Sequence, residues 1–148
     1  MKKKITVLLA GLMVAASAFC VASVSSDSIA IEGVAPGSTM ESARSRLGAP
    51  EAVAGDKIYF PNGIVIEVAD HNPNLVDEIA TQSAGATPGG ITVGMRESVL
   101  SEVYGRADKV DRDYDDTEYI YFSSDGSKKM EFKVVNGVIV KIKCELRN

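Results

Sequence analysis

One feature of this sequence constrains the fold more than any other: the second half repeats the pattern of the first. Residues 33–37 and residues 90–94 both start and end in glycine, with an aliphatic residue after the first glycine. Further on, residues 58–60 and residues 120–122 both read Ile-Tyr-Phe. Several matches in the same order favour an internal duplication over chance. The sequence therefore predicts two copies of one supersecondary unit.

Each copy begins with a predicted helix. In the first copy, Ser38 and Glu41 have the spacing of a capping box, and Gly48 supplies a left-handed stop. In the second copy, Gly105 occupies the place that corresponds to Gly48. Both helices are short, so they need support from the rest of the fold.

Three runs in each copy alternate apolar and polar residues, and turn dipeptides such as Asn136-Gly137 separate them. The predicted strands are residues 57–60, 64–69 and 75–82 in the first copy and residues 117–123, 128–135 and 138–146 in the second. A helix and three strands bury too little apolar surface to be stable alone. The predicted fold class is therefore α+β: two tandem repeats, each a helix plus a three-stranded antiparallel meander, share one sheet with the helices on one face.

The N-terminus predicts export. Residues 2–4 are lysines, residues 5–16 carry no charge, and small residues follow at the spacing of a cleavage site. The uncharged run is shorter than the roughly 20 residues that a membrane helix needs. We therefore expect residues 1–22 to be a signal peptide that is cut after Ala18 or Ala22. The mature chain is expected to be periplasmic or extracellular, with no transmembrane segment.

The repeat sets the remaining boundaries. The first repeat covers residues 29–82, and the second covers residues 91–148. Residues 83–90, between them, are rich in Gly, Ala, Ser, Thr and Pro, a composition typical of a short linker.

The two cysteines raise the question of lipid anchoring. Bacterial lipoproteins are cut just before a lipidated cysteine, but Phe19 precedes Cys20, where such proteins carry Gly, Ala or Ser. This argues against an anchor at Cys20. Cys144 falls on the apolar side of the last strand, which predicts a buried, inert thiol. If cleavage after Ala18 retains Cys20, the two thiols remain available for pairing.

Charge and motif content limit the classes of function. The net charge is −4 before the signal lysines are removed, so nucleic acid is not an expected partner. His71 is the only histidine and lies in a turn-rich segment. Residues 111–116 alternate carboxylates as calcium loops do, but Asp116 and Phe122 stand where those loops need Gly and Glu. We predict no catalytic residue, no cofactor and no metal site.

The strand alternation also predicts which side of the sheet is open. Aliphatic residues are expected to face the helices, and tyrosines and lysines to face solvent. Tyrosine contributes contact area at low entropic cost, so such a face is typical of recognition surfaces. The predicted partner-binding face is Tyr59, Tyr119, Tyr121, Lys133, Lys141 and Lys143.

The motifs resemble the BamE (SmpA/OmlA) family of outer-membrane assembly lipoproteins. The resemblance is carried by residues 93–95 (Val-Gly-Met), residues 104–105 (Tyr-Gly) and residues 117–122, and in the first copy by Gly37 and residues 47–50 (Leu-Gly-Ala-Pro). Two such units in tandem are also similar to the secreted β-lactamase inhibitor proteins, whose related modules form one curved sheet that grips an enzyme.

Both resemblances imply protein binding without catalysis. The resulting hypothesis is a non-catalytic, exported protein-binding module of the cell envelope, linked to outer-membrane protein assembly or envelope integrity. Its partner would be an envelope or extracellular protein. The alternative is a secreted inhibitor of a hydrolase such as a β-lactamase.

Overall fold

The computed structural model describes residues 23–147, so the predicted signal peptide and Cys20 lie outside the described residues. The helices are α1 (Met40–Leu47) and α2 (Ser98–Tyr104). The strands are β1 (Ala52–Ala54), β2 (Lys57–Phe60), β3 (Ile64–Ala69), β4 (Asn72–Thr81), β5 (Lys109–Arg112), β6 (Thr117–Phe122), β7 (Lys128–Val135) and β8 (Val138–Leu146).

All eight strands form one antiparallel sheet. Their order across the sheet is β1-β2-β3-β4-β8-β7-β6-β5, so each half of the chain forms a meander. The two meanders meet where β4 pairs with β8, which we call the seam. At the seam Ile79 lies opposite Cys144, and Thr81 lies opposite Ile142; all four side chains are buried. The seam therefore joins the two halves through one continuous core.

The predicted fold class, two repeats of a helix plus a three-stranded meander, is wrong. The described residues form mostly sheet with two short helices, and each half contributes four strands rather than three. The missed strands, β1 and β5, stand at the two edges of the sheet. They read Ala-Val-Ala and Lys-Val-Asp-Arg, so neither carries the run of alternation that identified the other six.

The capping box predicted for α1 is not formed. Thr39 is the N-cap residue, and its hydroxyl oxygen accepts a hydrogen bond from the Ser42 amide at 3.2 Å. The Ser38 hydroxyl instead donates to the Ala35 carbonyl. The start of the helix therefore lies one residue later than the sequence pattern suggested, although Gly48 caps its C-terminus as expected.

The glycines that define the repeat attach each helix to the sheet. The Gly37 amide donates to the Val76 carbonyl at 2.7 Å, and the Gly94 amide donates to the Ile139 carbonyl at 2.8 Å. Both glycines have positive φ, +85° and +95°, a region that other residues rarely adopt. In each half, a left-handed glycine thus fixes the start of the helical segment to the last strand of that half.

The helices pack on one side of the sheet, which we call the covered face. The ring of Tyr104 in α2 lies 5.5 Å from that of Tyr121 in β6 and 5.9 Å from that of Phe132 in β7. Met40 and Ala43 of α1 are buried in the same core. The strand residues of the covered face are Ile58, Phe60, Ile64, Ile66, Val76, Ile79, Tyr121, Met130, Phe132, Val134, Ile139, Ile142 and Cys144.

The register of β6 overturns the predicted orientation of its side chains. Tyr121 lies opposite Met130, whereas Ile120 lies opposite Glu131. Neighbours across a strand pair share a face, so the tyrosine points toward the helices and Ile120 points away. The two Ile-Tyr-Phe segments therefore occupy different positions in their meanders, and the position of Ile58 in the first half is that of Tyr119 in the second. A slip of one residue moves every side chain to the opposite face.

Two β-bulges explain irregularities in the alternation. Asp77 interrupts the pattern of β4, because Val76 pairs with Val68 and Glu78 with Glu67, which leaves Asp77 without an opposite residue. Val140 is the extra residue in β8 in the same way. A bulge lets two successive side chains lie on the same side of a sheet.

The segment before α1 and the predicted linker both belong to the folded unit. Val24 bridges to Ser123 in the second half, and Ile31 is buried in the common core. The Glu32 amide donates to the Ala86 carbonyl at 2.9 Å, and the Tyr104 hydroxyl donates to Thr87 at 2.6 Å. Residues 83–90 therefore connect the halves through specific contacts.

The orientation of β6 predicts unequal effects for two tyrosine substitutions. Tyr121 is 1% exposed and Tyr59 is 38% exposed. We expect Tyr121→Ala to lower the free energy of unfolding by about 3–5 kcal/mol and Tyr59→Ala to lower it by about 1 kcal/mol or less. Urea denaturation of both variants measures the difference. Equal losses would contradict the register described for β6.

Candidate functional site

The side of the sheet opposite the helices, called the open face, is the candidate site. Its residues follow from the register, which runs from β2 across the seam to β6. One row across the strands is Tyr59, Val65, Ala80, Lys143, Glu131 and Ile120, and the next is Lys57, Glu67, Glu78, Glu145, Lys129 and Phe122. The open face therefore combines small apolar patches with a dense array of paired charges.

Four of the six residues predicted for the binding face lie on the open face. Tyr59 lies in β2, and Lys133, Lys141 and Lys143 lie in β7 and β8. Lys133 and Lys141 are direct cross-strand neighbours, whereas Tyr59 is separated from Lys143 by Val65 and Ala80. The structure thus brings the three lysines together and places the tyrosine on the same face, with β3 and β4 between it and the lysines.

The other two predicted residues, Tyr119 and Tyr121, point to the covered face. The Tyr119 hydroxyl donates to Glu97 at 2.7 Å, a bond to a carboxylate that, together with burial, raises the pKa of the phenol. The Tyr121 hydroxyl donates to the Gly105 carbonyl at 3.1 Å, and burial raises its pKa to about 12. Both tyrosines support the helix side of the fold, so the open face lacks them.

Lys143 is the centre of the charge array. Its ammonium lies 2.8 Å from Glu145, 2.9 Å from Glu131 and 3.8 Å from Glu78. Burial opposes the charged ammonium, but hydrogen bonds to Glu145 and Glu131 outweigh it and raise the pKa of Lys143. The side chain is 22% exposed, so these ion pairs are only partly screened by solvent.

Lys129 closes the array on the other side. It lies 2.7 Å from Glu131 and 2.6 Å from Glu145, so two lysines share the same two carboxylates. Burial alone would raise the pKa of Glu131 and Glu145, yet hydrogen bonds from Lys129 and Lys143 lower both. The four side chains therefore form a fixed lattice that stays ionised at neutral pH.

The carboxylates beyond this lattice are less well compensated. Burial is the largest cause that raises the pKa of Glu78, and its contact with Glu145 adds to it while Lys143 opposes it. Burial also raises the pKa of Asp77, and repulsion from Glu67, Glu145 and Asp70 adds to this. The end of the open face near the β4 bulge is consequently acidic and repulsive.

Two shallow hollows lie side by side on the open face. The first, of about 400 Å³, is lined by Val140, Lys133, Lys143, Glu118 and Glu131, and the second, of about 440 Å³, by Tyr59, Val65, Ala80, Lys57 and Glu78. Gln82 and Lys141 line both hollows. Both are open to solvent on one side. The β8 bulge directs Val140 to the same side as Lys141. Val140 thereby supplies the apolar wall of the first hollow.

The residues considered earlier for chemistry do not line either hollow. His71 is exposed in the hairpin between β3 and β4. Asp111 belongs to β5, and Asp116 forms an ion pair with Lys133 at 2.8 Å. Within residues 23–147, no three His, Cys, Asp or Glu side chains are grouped so that they could hold a metal ion.

Cys144 lies on the covered face at the seam. It has no exposed surface, and burial strongly raises the pKa of its thiol. The thiolate is the reactive form of cysteine, so the buried side chain acts as a small apolar group beside Ile79 and Met130. The part of the chain that the structure describes has no helix of the length and apolar character needed to span a membrane.

Comparison with known proteins informs the fold. No family model and no curated protein matches the chain. Among solved structures, it is similar to a DUF4309 family protein (YjgB) from Bacillus subtilis subsp. subtilis str. 168, with a TM-score of 0.51 and 18% sequence identity over 74% of this chain and 79% of that chain. At this identity the likeness concerns the fold alone. The resemblances to BamE and to the inhibitor proteins stay predictions.

Several residues of the open face were missed by sequence reasoning. Lys129, Glu131 and Glu145 form the lattice with Lys143, and Gln82 separates the hollows. Alternation within β7 and β8 marks Lys129, Glu131 and Glu145 as polar-face residues, whereas Gln82 directly follows β4. Which of them pair across strands depends on the register, and the sequence pattern leaves this open.

The charge lattice predicts that Lys143 matters for stability. We expect Lys143→Gln to lower the free energy of unfolding by about 1–3 kcal/mol at neutral pH, because two partly buried carboxylates lose a donor. The matched control is Lys57→Gln, since Lys57 is 49% exposed and lies 3.5 Å from Glu67; its effect should be about 0–1 kcal/mol. Urea titrations measure both.

The loss of stability caused by Lys143→Gln is also expected to depend on pH. The pKa values of Glu131 and Glu145 are lowered in the folded state, so their stabilisation is present at neutral pH and is lost as pH falls through those values. The cost of Lys143→Gln should therefore shrink in acid. A cost independent of pH would contradict the lattice.

Asp77 is expected to contribute a pH dependence of stability with the opposite sign. Its pKa is raised, so ionisation disfavours the folded state, and stability is lost as pH rises through the raised value. We expect Asp77→Asn to stabilise the protein by about 0.3–1 kcal/mol at pH 7, a value reduced by solvent screening, and to have no effect near pH 3. Thermal unfolding at both pH values tests this, with Asp115→Asn on the exposed turn as the control. Destabilisation at pH 7 would contradict the repulsion described here.

Proposed function

We propose that the chain is a non-catalytic protein-binding module that uses its open face. The observation that carries this is the pair of adjoining hollows that meet at Gln82 and Lys141, on the side of the sheet away from the helices. A partner segment laid across the seam would contact both halves of the chain. The binding surface would therefore exist only when the two meanders are joined.

The shape of the hollows favours a macromolecule over a small ligand. Small-molecule sites are concave and enclose most of the ligand surface, whereas both hollows here are shallow and open. Their apolar parts are limited to Tyr59, Val65, Ala80 and Val140. Small apolar centres with a polar rim are typical of protein interfaces.

The charge lattice supports specificity. Lys129, Lys143, Glu131 and Glu145 hold one another in place, so the pattern of charge presented to a partner is fixed before binding. Complementary charge across an interface steers association and rejects wrong partners. A preorganised array also loses little side-chain entropy when a partner binds.

The location and the process remain those predicted from the sequence. We propose an exported module of the cell envelope, with outer-membrane protein assembly or envelope integrity as the process implied by the BamE resemblance. The alternative, a secreted hydrolase inhibitor, is tested by assaying the purified protein against a panel of β-lactamases and proteases.

Position-specific photo-crosslinking in the producing cells tests the binding face. We expect a crosslinking residue at Tyr59 or Val65 to capture a discrete protein, because both line the hollow on the open face. The matched control is Val103 in α2, which is 45% exposed on the opposite side. The captured protein should then bind the purified wild type, and about 10-fold more weakly after Val65→Lys, which places a charge in the hollow.

Two results would contradict the proposal. One is crosslinking at Val103 with none at the open face, which would move the interface to the helix side. The other is unchanged affinity of the captured protein for Val65→Lys.

A further inference from the structure

Three lysines of the open face differ in how their charge is balanced. Lys143 pairs with Glu131, Glu145 and Glu78, and Lys133 pairs with Asp116 at 2.8 Å. Lys141 has no carboxylate within ion-pair distance among residues 23–147. It is nevertheless half-buried, so it is a cation that the fold itself leaves uncompensated.

The position of Lys141 makes this imbalance costly. It lies directly opposite Lys133 in the β7–β8 pairing, and like charges at directly opposed positions destabilise a sheet. Lys133 is relieved by Asp116, with Glu118 at 3.9 Å, and Lys141 is not. A carboxylate supplied from outside would remove the repulsion and complete the ion pairing of this row.

The hollows define where such a carboxylate would arrive. Lys141 and Gln82 form the boundary shared by both hollows. Val140 lines one side of that boundary, and Val65 and Ala80 line the other. A segment that occupies both hollows must therefore cross Lys141 with apolar side chains before and after it.

We propose that Lys141 is the recognition site for an Asp or Glu side chain in an extended segment of the partner protein, with apolar residues flanking that acidic residue. This inference rests on the proposed function and names the chemistry of the partner. In an extended chain, residues two positions apart lie on the same side at about 6.5 Å spacing. The apolar flanks are accordingly expected within two positions of the acidic residue.

A singly charged carboxylate suits the site better than a phosphate. Glu118 and Glu131 line the same hollow as Lys141 and already have lysine partners. A dianion would therefore bring one more negative charge than the ammonium of Lys141 balances. The Gln82 amide, which borders both hollows, can donate to a carboxylate oxygen as well as accept from a backbone amide. One ammonium and one amide match one acidic side chain.

Peptide selection followed by binding measurements tests this inference. A random linear peptide library displayed on phage is selected against the purified wild type, against Lys141→Gln and against the control Lys109→Gln. Lys109 lies in the edge strand β5, is 57% exposed and lines neither hollow. The selected sequences are then synthesised with amidated C-termini, so that only side chains supply a carboxylate. Affinities are measured by fluorescence anisotropy at two salt concentrations.

We expect the wild type to select peptides with an Asp or Glu flanked by apolar residues. Replacing that residue in the peptide by its amide should weaken binding about 10-fold or more. Lys141→Gln should lower the affinity for the acidic peptide by a similar factor and abolish the preference for the acid over its amide. It should also reduce the salt dependence of peptide binding. Lys109→Gln should change the affinity less than 2-fold. Because Lys141→Gln removes repulsion from Lys133, its melting temperature should equal or exceed that of the wild type.

Failure of the inference and failure of the proposed function give different results. Selected peptides without acidic residues, or an acid preference that persists in Lys141→Gln, would overturn the acidic-segment inference while leaving open-face binding intact. Absence of any selected peptide would also overturn it. Binding that is indifferent to both Tyr59→Ala and Val65→Lys would place the peptides off the open face and contradict the proposed function as well.

Discussion

The pairing of β4 with β8 is the interaction on which the rest of the structure depends. Without this seam the chain would be two four-stranded meanders, each with an unpaired edge and an incomplete core. With it, Ile79 and Ile142 join the two helix-covered cores into one. Val24 and residues 83–90 then contact elements of the other half, so the connection is reinforced on the covered face as well. The seam therefore determines both the continuity of the core and the extent of the open face.

The seam also brings Glu78 of β4 against the charge lattice of β7 and β8. Glu78 lies opposite Glu145 across the seam, an arrangement that is repulsive in isolation. Lys143 and Lys129 bind the Glu145 carboxylate and offset that repulsion. Lys143 reaches Glu78 as well, at 3.8 Å, so one ammonium links carboxylates from both halves of the chain. Fold stability and the surface offered to a partner thus depend on the same few residues, and a substitution at Lys143 would be expected to affect both.

How much could be predicted from the sequence depended on whether local pattern or long-range pairing decides the feature. Six of the eight strands and the approximate positions of both helices follow from alternation, turn dipeptides and glycine stops. The edge strands were missed because Ala52–Ala54 has no polar residue to alternate with and Lys109–Arg112 has a single apolar residue. The facing of β6 was inverted because Thr117–Phe122 carries large apolar or aromatic side chains on both sides, so either orientation looks amphipathic. The orientation of the β6 side chains is decided by the register of β6, which its pairing with β7 sets.

Long-range pairing also limits what the sequence predicts for single residues of the candidate site. Lys141 and Lys143 have the same side chain, lie on the same face of β8 and are separated by one residue. The neighbours of Lys143 are Ala80 and Glu131, with three carboxylates in reach, whereas Lys141 faces Lys133. One lysine is consequently committed to the fold and the other is left free for a partner. Both lysines follow the β-bulge at Val140 and share one register, so the difference comes from the residues opposite them in β7, Lys133 and Glu131. The function of a surface lysine here is a property of the register rather than of the residue type.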